Sequence, residues 1–496
     1  MTPRASGISV PLFSLASRHG WGIGEFGDVP AFARWLLEAG QSIVQILPIH
    51  EMPPIETSPY SAMTAMALDP IYITLANVPD YTGQGGDLAL DGAEVSEIAR
   101  LRQLPSVDYA SIRRLKDRWL RRSYDRFLKL EVARGSPRAI RFDGFVREQR
   151  WWLDDYALFR ALHALHEELP WTKWPDLLAQ ADPTTLSQAR GALHVELTYR
   201  QYLQWLAAEQ WADAKRLSWP IRIYGDLPFM ISSDSPDVWA RQHEFRFDAT
   251  IGVPPDAFSE TGQDWGLPPW RASVMAQTDY AWMRARARRY ADLYDGYRID
   301  HLVGLYRTYV RPIDKSVPAF FDPADEADQR RLGETLVTIF TSAASKPGVI
   351  AEDLGSIPPF VRESMAQLDL PGLKVLRWER HWDQPGRPSI DPATFPARSV
   401  ATTGTHDIEP LAATPEGDTE AKRQGIVQSL LASGSFLTLM PVQDVFGWTD
   451  RINTPAVVGE INWTWRLPWP VDTWLDREDT VAHADQLKAW TRAAGR

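Results

Sequence analysis

YDGYRIDH, residues 294–301, is a short apolar run that ends in charge and gives way to a helical pattern, the outline of a βα unit. The same outline returns in SIVQILPIH at 42–50, IRIYGDLP at 221–228, GVIAEDLG at 348–355, GLKVLRW at 372–378, SVATTGTHD at 399–407 and FLTLMPVQD at 436–444. Each run carries charge or hydroxyl toward its carboxyl end. Many such units closing on themselves predict an α/β fold, a (β/α)8 TIM barrel, in which chemistry collects on the loops at the carboxyl ends of the strands. An open doubly wound sheet is the alternative. No glycine-rich phosphate loop of the GxGxxG or GxxxxGK kind follows 42–50, which removes the main reason to prefer it.

Between residues 50 and 221 the chain is far longer than a loop between barrel elements needs to be, so this stretch reads as an insertion. Its middle holds amphipathic helices in SIRRLKDRWLRRSYDRFLKL, 111–130, and WWLDDYALFRALHALHEEL, 151–169, with turns at GSP, 135–137, and LPW, 169–171. The arginine run reads as a solvated helix face. The expected organisation is a barrel start over 1–80, a largely helical subdomain over 81–215 and the remainder of the barrel over 216–496.

With 496 residues, 44% hydrophobic and 24% charged, the chain can bury a large core. A net charge of -11 repels phosphate backbones and anionic lipid, so neither nucleic acid nor a membrane surface is expected as a partner. No run approaches the ~20 apolar residues of a membrane span, and the opening MTPRASGISVPLFSLASRHG lacks the apolar core of a signal peptide. Cysteine is absent, which excludes disulfides and thiolate metal sites and fits a reducing compartment. The expected location is cytoplasmic. The 22 tryptophans offer flat apolar rings with one polar edge, which suit sugars wherever they stand beside carboxylates and otherwise fill a core.

Three strand ends each carry one carboxylate: Asp300 in RIDH, Glu352 in AEDLG and Asp407 in THD. In a barrel all three face one mouth. A lone carboxylate after a strand is usually a helix cap, the reading assigned to Asp353 and Asp28, but three beside Arg298, His301 and His406 fit poorly with capping alone. Glycosyl transfer with retention needs one carboxylate to attack the anomeric carbon and one protonated carboxyl to release the leaving oxygen, about 5–5.5 Å apart. Arg298, two positions before Asp300 and on the same side of an extended strand, is expected to keep Asp300 ionised. The acid must hold its proton near neutrality. A third carboxylate, Asp407, can stabilise an oxocarbenium-like charge.

The sequence resembles the amylomaltases, or disproportionating enzymes, of glycoside hydrolase family 77. The matching stretches are SPYSAMTAMALDP at 58–70, GDLPFMISSDSPDVWA at 225–240, GVPPDAFSETGQDWGLPPW at 252–270, YRIDHLVG at 297–304, IAEDLG at 350–355, LPGLKVL at 370–376 and TGTHD at 403–407. The opening over 10–36 and the tail over 440–467 are also similar to that family's termini. The resemblance implies a 4-α-glucanotransferase that moves α-1,4-glucan segments from maltooligosaccharide donors to glucose or maltooligosaccharide acceptors, with no cofactor and no metal. It implies Asp300 as nucleophile, Glu352 as acid/base and Asp407 as stabiliser. It further implies Tyr60 stacking on the donor sugar with Ser58 nearby, and Arg298, His301 and His406 binding sugar hydroxyls or the nucleophile. Asp256, Gln263 and Trp265 fall on a loop lying over the glucan, Asp226 beside the catalytic centre, and Asn462 and Trp463 in a carboxyl-terminal motif near the site.

The chain departs from that pattern in three places. Ile408 stands where the family continues THD with asparagine, and Leu302 and Val303 stand where it follows RIDH with an aromatic residue and an arginine. The alternatives are a hydrolase using the same carboxylates, a metal-dependent barrel hydrolase with ligands among Asp226, His301, Glu352, Asp353, His406 and Asp407, and an inactive glucan-binding protein.

Overall fold

The eight strands that close the barrel are β1 (Ala5–Ser9), β2 (Ile43–Gln45), β3 (Arg222–Leu227), β6 (Gly296–Ile299), β9 (Val349–Ala351), β10 (Gly372–Val375), β11 (Ser399–Thr402) and β12 (Leu437–Pro441). They pair in that order, all parallel, and β1 returns to pair with β12. The computed structural model describes residues 4–255, 262–344, 348–455, 457, 459 and 461–496. The chain is a parallel (β/α)8 barrel, and each of the seven runs read from the sequence contains a barrel strand. The eighth strand, β1, ASGIS, is not among those runs, and its only large apolar side chain is Ile8. Small residues are required there: a Cβ at Gly7 would stand 2.5 Å from Ile43 O on β2. Close approach of the two backbones removed the hydrophobic signal by which a strand is recognised.

A second, antiparallel sheet of order β5-β4-β7-β8 is built from the loops that follow β3 and β6. Its strands are β4 (Ala249–Val253), β5 (Gln263–Leu267), β7 (Thr308–Pro312) and β8 (Phe320–Asp322). The proline- and glycine-rich stretch over 252–270, which reads as a loop, therefore contains the end of β4 and all of β5. Since β3 and β6 both end at the barrel's carboxyl face, this sheet stands on the side where the candidate carboxylates lie.

Between β2 and β3 the longest elements are the helices Tyr109–Leu130, Pro137–Leu165 and His194–Ser218. Asp108 accepts from Ser111 N at 3.0 Å to start the first, and Ser136 accepts from Ala139 N at 3.1 Å to start the second, just after the GSP turn. The arginine-rich face is not wholly solvated as expected. Arg113 turns inward to grip the fully buried Asp69 with two bonds of 2.9 and 2.7 Å, and Lys116 lies 2.7 Å from the buried Glu25. A buried carboxylate needs a counter-charge, and these two side chains supply it. Most of the tryptophans serve packing: Trp35, Trp239, Trp282 and Trp474 are among the largest fully buried side chains. Among the described residues no helix is long and apolar enough to cross a membrane.

A buried polar chain joins the helix Pro137–Leu165 to the barrel loops. Glu51, after β2, accepts from Tyr156 Oη and, at 3.0 Å, from Arg160 Nε. Arg160 also reaches Glu168 at 2.9 Å, and His163 sits between Glu168 at 2.7 Å and Asp234 at 2.9 Å, the latter on the loop after β3. Burial opposes a charge on His163, but the two carboxylates outweigh it and raise its pKa above the ordinary imidazole value. Because the folded value is the higher one, this contribution to stability is complete at pH below the unfolded value and is lost as pH rises through the folded value. Glu168, resisted by burial but held by His163 and Arg160, falls to about 2, so its contribution persists until strongly acid pH. The thermal midpoint is therefore expected to fall as pH rises above neutrality, and His163→Phe to flatten that slope. A slope unchanged in the variant, measured by calorimetry, overturns the assignment to His163.

Candidate active site

Arg298 is the centre of the site. It faces Asp226 across the β3–β6 register and is only 5% exposed. Its Nε donates to Asp226 Oδ2 at 2.9 Å, Nη1 to Glu352 Oε2 at 2.8 Å, and Nη2 to Asp300 Oδ1 and Tyr60 Oη, both at 2.9 Å. Asp300 and Glu352 lie one residue past β6 and β9. Their own N–H groups continue the barrel ladder, Asp300 N to Leu227 O at 3.0 Å and Glu352 N to Ile299 O at 2.9 Å, so rigid backbone aims both carboxyls. One planar fork thus holds three carboxylates and a phenol that arrive from three strands and a loop. Asp226 also accepts from Tyr60 Oη at 2.7 Å through the same oxygen. Its Oδ1 is buried with no hydrogen-bond partner among the described residues, and Asp226 lines a cavity of about 40 Å³ with Gln45, Thr402 and His406.

The surroundings shift the two carboxyls of the catalytic pair in opposite directions. Burial and the negative charge of Glu352 and Asp226 push Asp300 well above the usual carboxylate range despite Arg298. Burial also works against ionisation of Glu352, but Arg298, a hydrogen bond from Asp300 and the N–H of His301 hold it below that range. The reason is geometric. Glu352 Oε2 collects both Arg298 Nη1 and, at 3.0 Å, His301 N, whereas Asp300 shares Nη2 with Tyr60. His301 itself has φ of +45°, the left-handed region that is unfavourable for a side-chain-bearing residue.

Asp407 lies past β11 in the loop that follows it. Its Oδ1 accepts from Asn453 Nδ2 at 2.6 Å and its Oδ2 lies 3.3 Å from His406 Nε2. Burial opposes its charge, but His406, Asn453 and Arg298 outweigh it and hold the carboxyl far below its ordinary value. Sequence reasoning missed Asn453 because nothing in spacing connects it with THD; the only signal is its presence in the similar tail over 440–467. Its loop is fixed by Arg451, which donates to Asp407 O at 2.8 Å. Asn453→Ala is expected to lower kcat by about 10- to 100-fold, the worth of a hydrogen bond to a charged group. KM and the thermal midpoint should change little. A kcat within twofold of the parent enzyme in steady-state assays rules this role out.

The aromatic residues line up beside the carboxylates. Tyr60 stacks on His406 with ring centroids 5.1 Å apart, and Trp463 closes against both at 5.5 Å. Trp265, on β5, meets His301 edge-on at 4.9 Å and Phe229 at 6.4 Å, and its indole N–H lies 3.3 Å from Gln263 Oε1. Ser58 accepts from Tyr60 N at 3.3 Å and shapes that turn. Asp256 lies outside the described residues. Asn462, whose motif also implies a substrate-binding residue, is bonded to its own loop in the structure. Its Oδ1 accepts from Thr454 N at 3.0 Å and its Nδ2 donates to Thr454 O and Val457 O at 3.2 and 2.8 Å, so the amide is consumed in pinning its own loop. Of the departures from the family pattern, Leu302 is fully buried in the core and Val303 packs against it, so these alter packing; Ile408 is half-buried beside Gly404 on the Asp407 loop.

Proteins named 4-alpha-glucanotransferase match this chain over nearly its full length. A family model described as 4-alpha-glucanotransferase, glycoside hydrolase family 77, matches residues 10–472. The chain is 32% identical to the 4-alpha-glucanotransferase of Thermus thermophilus, with 100% of this chain and 99% of that one covered. It is 31% identical to the 4-alpha-glucanotransferase of Chlamydia caviae over 95% of this chain and 92% of that one. Among solved structures, an amylomaltase from Streptococcus agalactiae in complex with acarbose superposes with a TM-score of 0.84 at 27% identity, with 99% of each chain covered. The fork of Arg298 among barrel carboxylates and these full-length likenesses agree, and the chain belongs to the 4-α-glucanotransferase family, glycoside hydrolase family 77, as an enzyme of the transferase class.

Proposed function

We propose that the enzyme cleaves an α-1,4 bond in a glucan or maltooligosaccharide donor and passes the segment to the 4-hydroxyl of glucose or another maltooligosaccharide, with retention. The observation that carries this reading is the sharing of one guanidinium by Asp300 and Glu352. Both carboxyls contact a single guanidinium, an arrangement that suits the ~5–5.5 Å pair of a retaining enzyme better than the ~6.5–9.5 Å pair of an inverting one. The cation among the carboxylates is a guanidinium, which favours this reading over the metal-dependent hydrolase. The acarbose bound by the Streptococcus agalactiae amylomaltase supports a glucan-like occupant.

In the first step Asp300 attacks the anomeric carbon, the bond to the leaving oxygen breaks, and Glu352 gives that oxygen its proton. The proton must therefore stand on Glu352 when the sugar is in place. A glycosidic oxygen seated against Glu352 accepts it there, while Asp300 keeps its bond to Arg298 as an ionised nucleophile. Asp407, held in its charged form by Asn453 and His406, faces the positive charge that develops on the ring. Tyr60 offers its ring to the donor sugar beside Ser58. In the second step Glu352, now the base, takes the acceptor's proton and the acceptor oxygen displaces Asp300. The division into 1–80, 81–215 and 216–496 belongs to this proposal, the middle part being the insertion that braces the barrel. So does a cytoplasmic location, which the lack of cysteine supports.

Transfer requires that water be refused. Trp265 on β5, packed against His301 directly after the nucleophile, is placed to close the cleft until a sugar docks. Maltotriose is expected to yield longer and shorter oligosaccharides plus glucose with little change in total reducing ends, because each bond broken is matched by one made. Trp265→Ala should raise the hydrolytic share several-fold. Reducing ends that rise in step with donor consumption in the parent enzyme would show a hydrolase and defeat the transfer reading.

A further inference from the structure

β10 lies between the strand that leads to Glu352 and the strand that leads to Asp407, so the residues beyond its carboxyl end rise at the mouth of the site. They form a hairpin over 376–390. His381 N donates to Pro388 O and Ile390 N to Glu379 O, each at 2.9 Å, and Arg380 and Ser389 make a bridge. Its base is tied to the Asp407 loop, since Arg377 Nη2 donates to Glu409 O at 2.7 Å and Arg380 lies 3.8 Å from Glu416. Near the tip stands Trp382, 62% exposed, with the Arg387 guanidinium 5.3 Å from its ring centroid. Arg387 adopts φ of +44° after Gly386 at +77°, and this left-handed turn brings the guanidinium back to the indole.

A chain that buries most of its tryptophans leaves this one in water, on an element braced by cross-bonds and anchored to the catalytic loop. A flat apolar ring flanked by a many-pronged donor is the chemistry that receives a pyranose, apolar C–H face on the ring and hydroxyls on the guanidinium. We propose that Trp382 is a platform for an α-1,4-glucan chain where it leaves the cleft, several glucose units from the bond being exchanged. This rests on the reading of the site given above. Six residues separate Trp382 from Val375 at the end of β10, so its Cα stands at most about 25 Å from the strand end, within reach of a long glucan that leaves the carboxylates.

Trp219 provides the control. It is 77% exposed, but it precedes β3 at the amino-terminal pole of the barrel, away from the site. The test measures kcat and KM for long-chain amylose and for maltotriose in the parent enzyme, Trp382→Ala, Trp382→Phe and Trp219→Ala. Trp382→Ala is expected to raise KM for amylose at least fivefold with kcat unchanged and maltotriose kinetics within twofold. Trp382→Phe should recover most of the loss, and Trp219→Ala should resemble the parent. An unchanged KM for amylose, or an equal loss on maltotriose, overturns the platform. Binding is read separately, by quenching of tryptophan fluorescence with amylose, where Trp382→Ala should lose a large part of the signal and weaken binding by a similar factor. If the parent enzyme fails to act on maltotriose, the proposed function fails, while the quenching experiment still decides the platform.

Discussion

Glu352→Gln is expected to lower turnover of an oligosaccharide donor by about 10²–10⁴-fold, the contribution of a positioned general acid, while a maltosyl fluoride still reacts in the first step. Glutamine keeps the shape of the side chain, and its carbonyl oxygen can still accept from Arg298 Nη1 and His301 N, the two bonds that fix Glu352 Oε2. Only the proton is lost. A fluoride leaving group needs none, so the glycosyl-enzyme should form in a burst of fluoride and then persist, because the second step lacks its base. Following fluoride release and total turnover side by side checks this. Equal loss on both donors would mean that Glu352 does not protonate the leaving oxygen.

Arg298→Met is expected to fail on both donors, by about 10²–10⁴-fold, and to lower the thermal midpoint. Its removal leaves Asp226, Asp300 and Glu352 buried together without the cation that all three contact at 2.8–2.9 Å. Breaking a buried ion cluster on one side costs about 3–5 kcal/mol, because the remaining charges have no compensation. The carboxylates escape by taking up protons, and a protonated Asp300 is no nucleophile. No leaving group repairs that defect, which separates this variant from Glu352→Gln. Arg298→Lys keeps the charge but has one ammonium where the fork has three nitrogens in use, so it should recover only part of the loss. A fluoride donor that restores Arg298→Met to within tenfold of the parent would show that Arg298 serves the leaving group and not the nucleophile.

The barrel was legible in the sequence wherever a strand carries its own apolar side chains, and the three carboxylates were legible because each directly follows such a strand or its short loop. β1 was not, because Gly7 must be small to let Ile43 come close, and a residue chosen for absence of bulk leaves no hydrophobic mark. The sheet of β4, β5, β7 and β8 was hidden for a different reason. Its strands pair across a distance in the chain, Ala249 with Pro312, and prolines and glycines between them dominate the local signal. Charge assignment depended on three-dimensional detail: Arg298 sits on the same side of β6 as Asp300, as alternation requires, yet its strongest hold on the catalytic pair is shared with the His301 amide at Glu352. Asn453 illustrates the same limit, since its only link to Asp407 is the fold itself.

The position of β1 between β2 and β12 sets the order in which this protein can be finished during synthesis. Ala5 pairs with Leu437, so the first strand to leave the ribosome waits for the last before the ring can close. Until then β1 on one side and, once made, β11 on the other present unpaired N–H and C=O groups, the kind of edge that recruits other chains. Nascent chains or proteolytic fragments that stop short of Leu437 should therefore aggregate or depend on chaperones, and adding back a peptide spanning β12 should restore solubility if the missing seam is the cause.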